Sequence, residues 1–388
     1  MAGIYIHIPF CASRCIYCDF YSTTSRNRSL FIDCLLREID DPHPSPFDDD
    51  SIKAHNTLIE TIYIGGGTPS QLSATDLNRL IKGLEKRFDL SHLKEFTLEM
   101  NPEDVTTEYV KALPSPINRV SMGVQSFIDD ELKLLRRRHD SHRPAEAINR
   151  LRAHGLDNIS IDLMYGLPSQ TLESFNKSIE HAIALSPKHL SAYNLSIEEG
   201  TPLDKMLNQG GIVFNGENIT LPNDEECNEM NSLLRSKLKG AGFIQYEISN
   251  YALPGYESKH NSSYWNGTPY IGFGPGAHSY DGQMTRWWNE PDLANYLKGD
   301  IQRGKETLSK EDLYNEQVML PLRTRTGIDV DMLRCKFPEF YKSVFASESD
   351  KLISEGLLSS IDNNGHLFYR LTGKGLPLAD AVIRRLIV

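Results

Sequence analysis

Between residues 3 and 248, short apolar runs that read as strands alternate about six times with helical stretches, and this alternation constrains the fold more than any other feature. Strands are predicted at 3–8, 61–64, 95–100, 118–123, 158–163 and 189–195. Helices are predicted at 29–39, 74–88, 107–113, 129–135, 144–154, 174–185 and 224–241, with Ser73 or Thr75 as the cap of the second. A chain that repeats strand and helix builds a parallel sheet covered by helices, because parallel neighbours need a crossover between them. A further strand is expected around 243–248. The 388 residues are enough for more than one domain.

The strongest chemical signal follows the first strand. Cys11, Cys15 and Cys18 fall within eight residues. Thiolates are soft ligands suited to iron–sulfur clusters, zinc or copper. Structural zinc sites usually use four protein ligands, so three cysteines with no fourth nearby suggest an iron left open to a small molecule. A zinc site completed by a distant Cys or His is the alternative. Cys34, Cys227 and Cys335 are scattered, unlike a disulfide framework. The net charge of −11 argues against unaided nucleic-acid binding. Neither a signal-peptide pattern nor a long apolar span is evident, so the expected location is cytoplasmic. The Pro- and Asp-rich stretch at 40–56 reads as a loop without assignable chemistry.

Other polar or glycine-rich features fall at or just after predicted strand ends: Gly65-Gly66-Gly67-Thr68, Glu99, Gln125 and Asp162. Each has an ordinary reading as a tight turn, a salt bridge or a backbone partner. Arg136-Arg137-Arg138 alone reads as a solvated run. In α/β barrels and open α/β sheets, however, sites gather at the C-terminal strand ends, which would place these residues and the cysteines on one rim.

Cys-x3-Cys-x-Tyr-Cys after a strand, followed by Gly-Gly-Gly-Thr-Pro-Ser, resembles the radical S-adenosylmethionine superfamily. Residues 5–11, 118–127 and 161–168 resemble its coproporphyrinogen dehydrogenase-like branch, which also contains heme chaperones. The resemblance implies an α/β fold, a partial (β/α)6 TIM-like barrel of radical SAM type with a smaller C-terminal helical, winged-helix-like domain. The expected divisions are a core at 1–240, an aromatic- and Gly-rich segment closing the barrel at 241–300, and the C-terminal domain at 301–388. Cys11, Cys15 and Cys18 would hold a 4Fe–4S cluster. Tyr5, Tyr17, Gly66, Gly67, Thr68, Glu99, Gln125, Arg137 and Asp162 would contact S-adenosylmethionine. In this family a reduced cluster cleaves that molecule to methionine and a 5′-deoxyadenosyl radical.

Within the branch, the dehydrogenase pattern has a fourth cysteine two residues after the third, where this chain has Phe20. It also has a substantial segment before its first cysteine, whereas ten residues precede Cys11 here. Both departures favour the heme-chaperone reading: a protein that binds heme and delivers it to an acceptor hemoprotein, respiratory and at the membrane. An electron donor such as a flavodoxin or ferredoxin, and a monomeric or homodimeric state, are further expectations. A coproporphyrinogen dehydrogenase and a radical enzyme with another substrate are the alternatives. The stretch 245–289 holds all three tryptophans, Trp265, Trp287 and Trp288. By composition it reads as aromatics in a loop-rich layer. The match of His260-Asn261-x-x-Tyr264 to the chaperones' His-Asn-x-x-Tyr motif implies heme binding by His260, Asn261 and Tyr264, with His278 as an alternative ligand. From Ser309 onward, predicted helices at 311–320, 331–337 and 347–356 precede a hairpin at 357–371. This module reads as a lid or a partner-docking surface.

Overall fold

The computed structural model describes residues 2–40, 58–363 and 365–388; apart from Asp40, the Pro/Asp-rich stretch at 40–56 lies outside them. Six parallel strands form the body: β1 (Ala2–Ile8), β2 (Ile59–Gly66), β3 (Glu95–Met100), β4 (Arg119–Gln125), β5 (Ile159–Tyr165) and β6 (His189–Asn194). Then follow β7 (Ile212–Phe214), β8 (Glu217–Ile219), β9 (Ile244–Gln245), β10 (Asn250–Ala252), β11 (Tyr270–Phe273), β12 (His278–Tyr280), β13 (Thr285–Asn289) and β14 (Arg303–Thr307). The main sheet runs β14-β13-β12-β11-β1-β2-β3-β4-β5-β6-β10-β9.

Helices α1 (Arg28–Asp40), α2 (Ala74–Arg87), α3 (Thr107–Ala112), α4 (Asp129–Leu134), α5 (Arg143–Ala153) and α6 (Leu172–Ala184) lie between the first six strands. They are followed by α7 (Pro202–Asn208), α8 (Asp224–Gly240), α9 (Lys259–Trp265), α10 (Leu293–Lys298) and α11 (Lys310–Leu322). Local chemistry sets several starts. Ser73 caps α2 by accepting from the Asp76 amide, and Asn223 caps α8 in a reciprocal box with Glu226.

The two faces of the parallel strands differ. Ile4, Ile6, Ile8, Ile62, Ile64, Phe96, Leu98, Val120, Met122, Ile159 and Ile161 share one core with helix residues such as Phe31, Leu80, Leu84, Leu151, Phe175 and Leu234. Residues of the opposite parity are mostly polar: Tyr5, His7, Thr61, Tyr63, Glu95, Thr97, Glu99, Arg119, Ser121, Ser160, Asp162, His189 and Ser191. Strands buried on both faces of a parallel sheet normally read as continuous apolar runs. The strict alternation here instead builds an apolar outer layer and a polar lumen.

The stretch at 241–300 serves three places in the fold. β10 and the two-residue β9 continue the sheet antiparallel beyond β6, in place of the longer strand expected at 243–248. α9 seals the floor at the strands' N-terminal ends. β11 pairs parallel with β1, and β12, β13 and β14 extend a wing antiparallel from it. Among the described residues the sheet stays open, because β14 and β9 are its two edges. Buried Glu38 of α1 fastens the wing: its carboxylate accepts from the Gly274 amide at 2.9 Å, Asn289 Nδ2 at 2.6 Å and Tyr296 Oη at 2.6 Å.

The C-terminal part has its own apolar core, from Tyr314, Val318 and Leu322 to Val382, Ile383 and Leu386. Around it lie α11, helices Val330–Lys336, Ala346–Ser354 and Ala379–Leu386, and a three-stranded sheet of β15 (Ile328–Asp329), β17 (His366–Leu371) and β16 (Leu358–Asn363), in that order. This helix-and-hairpin arrangement matches the expected winged-helix-like shape. No helix among the described residues is long and apolar enough to cross a membrane.

Candidate functional site

The cysteine loop leaves β1 at the rim of the lumen. The Cys11 amide donates to Thr23 O at 2.9 Å, which folds the loop back on itself. Ile16 anchors its middle in a small apolar cluster with Leu134, Leu135, Met164, Leu167 and Leu203. Cys11, Cys15 and Cys18 are unpaired and half-buried. Burial pushes the Cys18 thiol up to about 11, with the nearby thiols of Cys15 and Cys11 adding to the rise. Burial raises the Cys11 thiol as well, and metal coordination removes such protons.

The glycine turn after β2 lies directly against this loop. A Cβ on Gly67 would sit 3.1 Å from Cys11 Sγ and 2.8 Å from Phe10 O, so only glycine fits there. Gly66 has φ +109°, and a Cβ there would meet the His7 ring at 2.6 Å. Thr68 Oγ1 donates to Cys11 Sγ at 3.5 Å, and Asn101 Nδ2 donates to Thr68 Oγ1 at 3.3 Å.

Beside Glu95 at the floor, the carboxylates of Glu99 and Asp162 face the lumen. Glu99 accepts from Tyr63 Oη at 2.7 Å and from the Gly66 amide at 3.1 Å. Burial pushes its carboxyl up to about 7, against the pull of the Tyr63 hydrogen bond. Asp162 accepts from Ser121 Oγ at 3.2 Å and from Ser160 Oγ at 3.4 Å. Burial raises its pKa too, opposed by its serine partners and by Arg119.

Arg137 joins the cysteines to the strand ends. Its Nη1 donates to Cys15 Sγ at 3.5 Å, and its Nη2 to Asn101 Oδ1 at 2.7 Å and Gly123 O at 2.5 Å. Its Nε is buried without a hydrogen-bond partner among the described residues. A Cβ on Gly123 would lie 3.2 Å from Gln125 Nε2 and 3.4 Å from Arg137 Nη2, so Gln125 belongs to the same cluster. Gln125 itself has φ +71°, at a register shift between β4 and β5. Strained backbone of this kind clusters at functional sites. Tyr17 lies near Arg137, Cys15 and Cys18, and burial raises its phenol pKa. Tyr5 stacks on Tyr63 with ring centroids 6.2 Å apart.

The structure thus brings Cys11, Cys15, Cys18, Tyr17, Gly66, Gly67, Thr68, Glu99, Gln125 and Arg137 to one rim, with Tyr5 and Asp162 in the lumen wall below. Asn101 and Tyr63, which the sequence reading passed over, belong to the same network. Both share strand parity with Glu99 or with the glycine turn, and that alternation was the available signal.

His260, Asn261 and Tyr264 lie on α9 at the floor. His260 is 0% exposed. Its Nδ1 is hydrogen-bonded to Thr61 Oγ1 and its Nε2 to Tyr264 Oη, both at 2.9 Å. Its ring stacks on Tyr63 at 5.2 Å, and burial pushes its pKa down to about 3, so it is neutral. The Asn261 amide donates to Ser258 Oγ at 3.2 Å. Glu95 accepts from the amides of Lys259 and His260 at 2.8 and 3.0 Å and from Ser258 Oγ at 3.2 Å. These three residues therefore belong to the helix that covers the floor, and the motif histidine has no free ring nitrogen.

The Radical SAM superfamily matches residues 5–182, and the HemN C-terminal domain matches residues 308–378. The chain is 34% identical over 390 residues to the heme chaperone HemW of Lactococcus lactis, covering 99% of this chain and 97% of that one. It belongs to the HemW family. The Bacillus subtilis member is 35% identical, with 98% of each chain covered, and the Escherichia coli member is 34% identical over 89% of this chain and 92% of its own. Among solved structures, coproporphyrinogen III oxidase (HemN) from E. coli superposes with a TM-score of 0.80 at 22% identity, covering 100% of this chain and 90% of that one, which shows a shared fold.

Radical SAM family membership implies a 4Fe–4S cluster and S-adenosylmethionine. The rim fits both groups: three free thiols on one loop, a glycine turn with no room for a Cβ, and an arginine with an unsatisfied buried nitrogen.

Proposed function

We propose that this chain binds heme and passes it to an acceptor hemoprotein, with a 4Fe–4S cluster and S-adenosylmethionine held at the rim. The observation that carries the reading is the near-full-length similarity to heme chaperones. Phe20 supports it. Where the dehydrogenase pattern has a fourth cysteine, this chain presents an apolar ring that is 68% exposed.

Cys11, Cys15 and Cys18 would ligate three irons. When bound, the cluster and S-adenosylmethionine supply one-electron reductive chemistry. The chain's residues bind and orient. Glu99 and Arg137 offer an acceptor and a cation on either side of the glycine turn, as recognition of an amino acid's ammonium and carboxylate requires. Tyr63 and the Gly66 amide fix the Glu99 carboxylate, and Asn101 and Gly123 O fix the Arg137 guanidinium. Gln125, Thr68, Tyr17 and Asp162 complete the polar wall, while Tyr5 gives it an aromatic face. A cytoplasmic location, an electron donor of the flavodoxin or ferredoxin kind and a membrane-bound respiratory acceptor complete the reading.

Anaerobic reconstitution followed by parallel heme-binding and coproporphyrinogen assays tests it. Stoichiometric heme uptake without protoporphyrinogen formation is expected. Conversion of coproporphyrinogen III without heme uptake would overturn it.

A further inference from the structure

Gln125 sits at the centre of a classic γ-turn. Its φ is +71°, and the Ser126 amide donates to Val124 O across it at 2.9 Å. Turns of this hand are rare and strained, and they persist only where surrounding contacts over-determine them. Such contacts hold both limbs. On the far limb, Ser126 Oγ donates to Glu131 Oε2 at 2.5 Å and accepts from the Ile128 amide at 3.0 Å. On the near limb, Val124 O accepts a second hydrogen bond, from His139 Nε2 at 3.1 Å.

The His139 side chain is 0% exposed, and its other ring nitrogen faces a carboxylate. Nδ1 lies 3.4 Å from Glu103 Oε2, and neither atom has another partner among the described residues. Glu103 belongs to the turn at 101–104 that follows β3. From that turn Asn101 engages Arg137 and Thr68, and Asp104 accepts from Ser70 Oγ at 2.8 Å and Gln71 Nε2 at 2.7 Å. Arg138 Nη1 approaches Glu103 Oε1 at 3.5 Å and Asp104 Oδ1 at 3.7 Å. Burial would raise the Glu103 carboxyl, but His139 and Arg137 outweigh it and hold the group below its usual value. Residues 137–139 therefore form a strap. Arg137 and His139 take the consecutive carbonyls of Gly123 and Val124, and Arg138 and His139 tie the strap to Glu103.

We propose that Glu103 and His139 are positioning residues for S-adenosylmethionine: together they lock the γ-turn that presents Gln125 and brace the strap that presents Arg137. His139 is sealed from the lumen, so it acts through Val124 O and not by contact with the ligand. Without that donor the turn relaxes, and the ligand must restore the strained form at a cost in affinity. This inference rests on the S-adenosylmethionine reading of the rim and is independent of heme transfer.

The test uses the anaerobically reconstituted full-length protein. It reads S-adenosylmethionine affinity by calorimetry, and the change the ligand causes in the electron paramagnetic resonance spectrum of the reduced cluster. His139→Leu cannot donate to Val124 O and should weaken binding about 10-fold and diminish the spectral change, with the cluster absorption retained. His139→Gln keeps an N–H donor and should recover most of the affinity. Glu103→Gln keeps the shape, removes the charge and should cause a smaller loss. Glu95→Gln at the floor should lower thermal stability yet leave affinity and spectrum unchanged. Wild-type affinity and spectrum in folded His139→Leu would overturn the assignment, as would equal losses in the Leu and Gln variants or an equal loss in Glu95→Gln. Should His139→Leu not fold, Glu103→Gln carries the test, and wild-type affinity there overturns the assignment. If the wild type with an intact cluster binds no S-adenosylmethionine, the reading of the rim itself falls, and this inference with it.

Discussion

The rim and the floor of the barrel are built from the same six strands, yet they treat polar groups in opposite ways. At the floor, Glu95, Ser258, His260, Thr61 and Tyr264 are mutually satisfied, and the His260 ring has no free nitrogen. At the rim, three thiols are unpaired, Arg137 Nε has no partner among the described residues, and Gln125 holds an unfavourable φ. Unsatisfied buried polar groups cost about 1–3 kcal/mol each. A fold keeps them where a ligand completes the set. The Glu95–His260 network at the floor is complete in itself, whereas the Arg137 guanidinium at the rim keeps one nitrogen for a further partner.

Substitutions at the two ends should therefore fail differently. The largest effect is expected from Cys15→Ala, which should abolish the cluster's visible absorption after anaerobic reconstitution while the fold, followed by circular dichroism, persists. A cluster formed in wild-type yield would remove Cys15 from the ligand set. Next, Glu95→Ala strips three donors of their acceptor and should destabilise the apoprotein by about 3–5 kcal/mol, read by urea unfolding. A stability loss below about 1 kcal/mol would show that the floor network is not structural. Arg137→Lys should weaken S-adenosylmethionine binding by about 10-fold in calorimetry, because a lysine cannot serve Asn101, Gly123 O and a carboxylate from one planar fork. Unchanged affinity would remove Arg137 from the site.

The smallest effect is a pH dependence at Glu99. Its carboxyl is raised from 4.5 to about 7 in the folded chain, first by burial. Between those two values the folded state binds more protons than the unfolded state, so this group's contribution makes stability fall as pH rises through that window. Glu99→Gln should flatten that share of the slope. An unaltered pH profile would mean that Glu99 ionises freely.

Much of the body was legible in the sequence. The strand at 95–100 was predicted with the bounds the structure has, and α2 begins at Ala74 under its Ser73 cap as expected. The strand ends did point to one rim, because alternation puts Glu99 and Asp162 on the lumen face whatever the loops do. Other elements were missed. α7 and the β7–β8 hairpin bring Leu203 and Ile212 over Ile16, but they are short, and no long apolar period marks them. The wing was read as an aromatic loop because β11, β12 and β13 are only three to five residues long. The strand that anchors them to the sheet, β1, pairs with β11 from some 265 residues earlier in the chain.

What the sequence alone determined was local or periodic: the helix caps, the apolar outer face, the polar lumen, the cysteine spacing and Phe20 in place of a fourth thiol. These depend on neighbours a few residues apart. Only the tertiary structure decided which histidine is sealed and which is open. His260 and His278 sit in equally aromatic surroundings along the chain, and their difference comes from distant partners. Thr61 and Glu95 reach His260 from β2 and β3, whereas His278 meets solvent on an antiparallel wing. Burial and hydrogen-bond saturation are properties of long-range packing, and no local pattern encodes them.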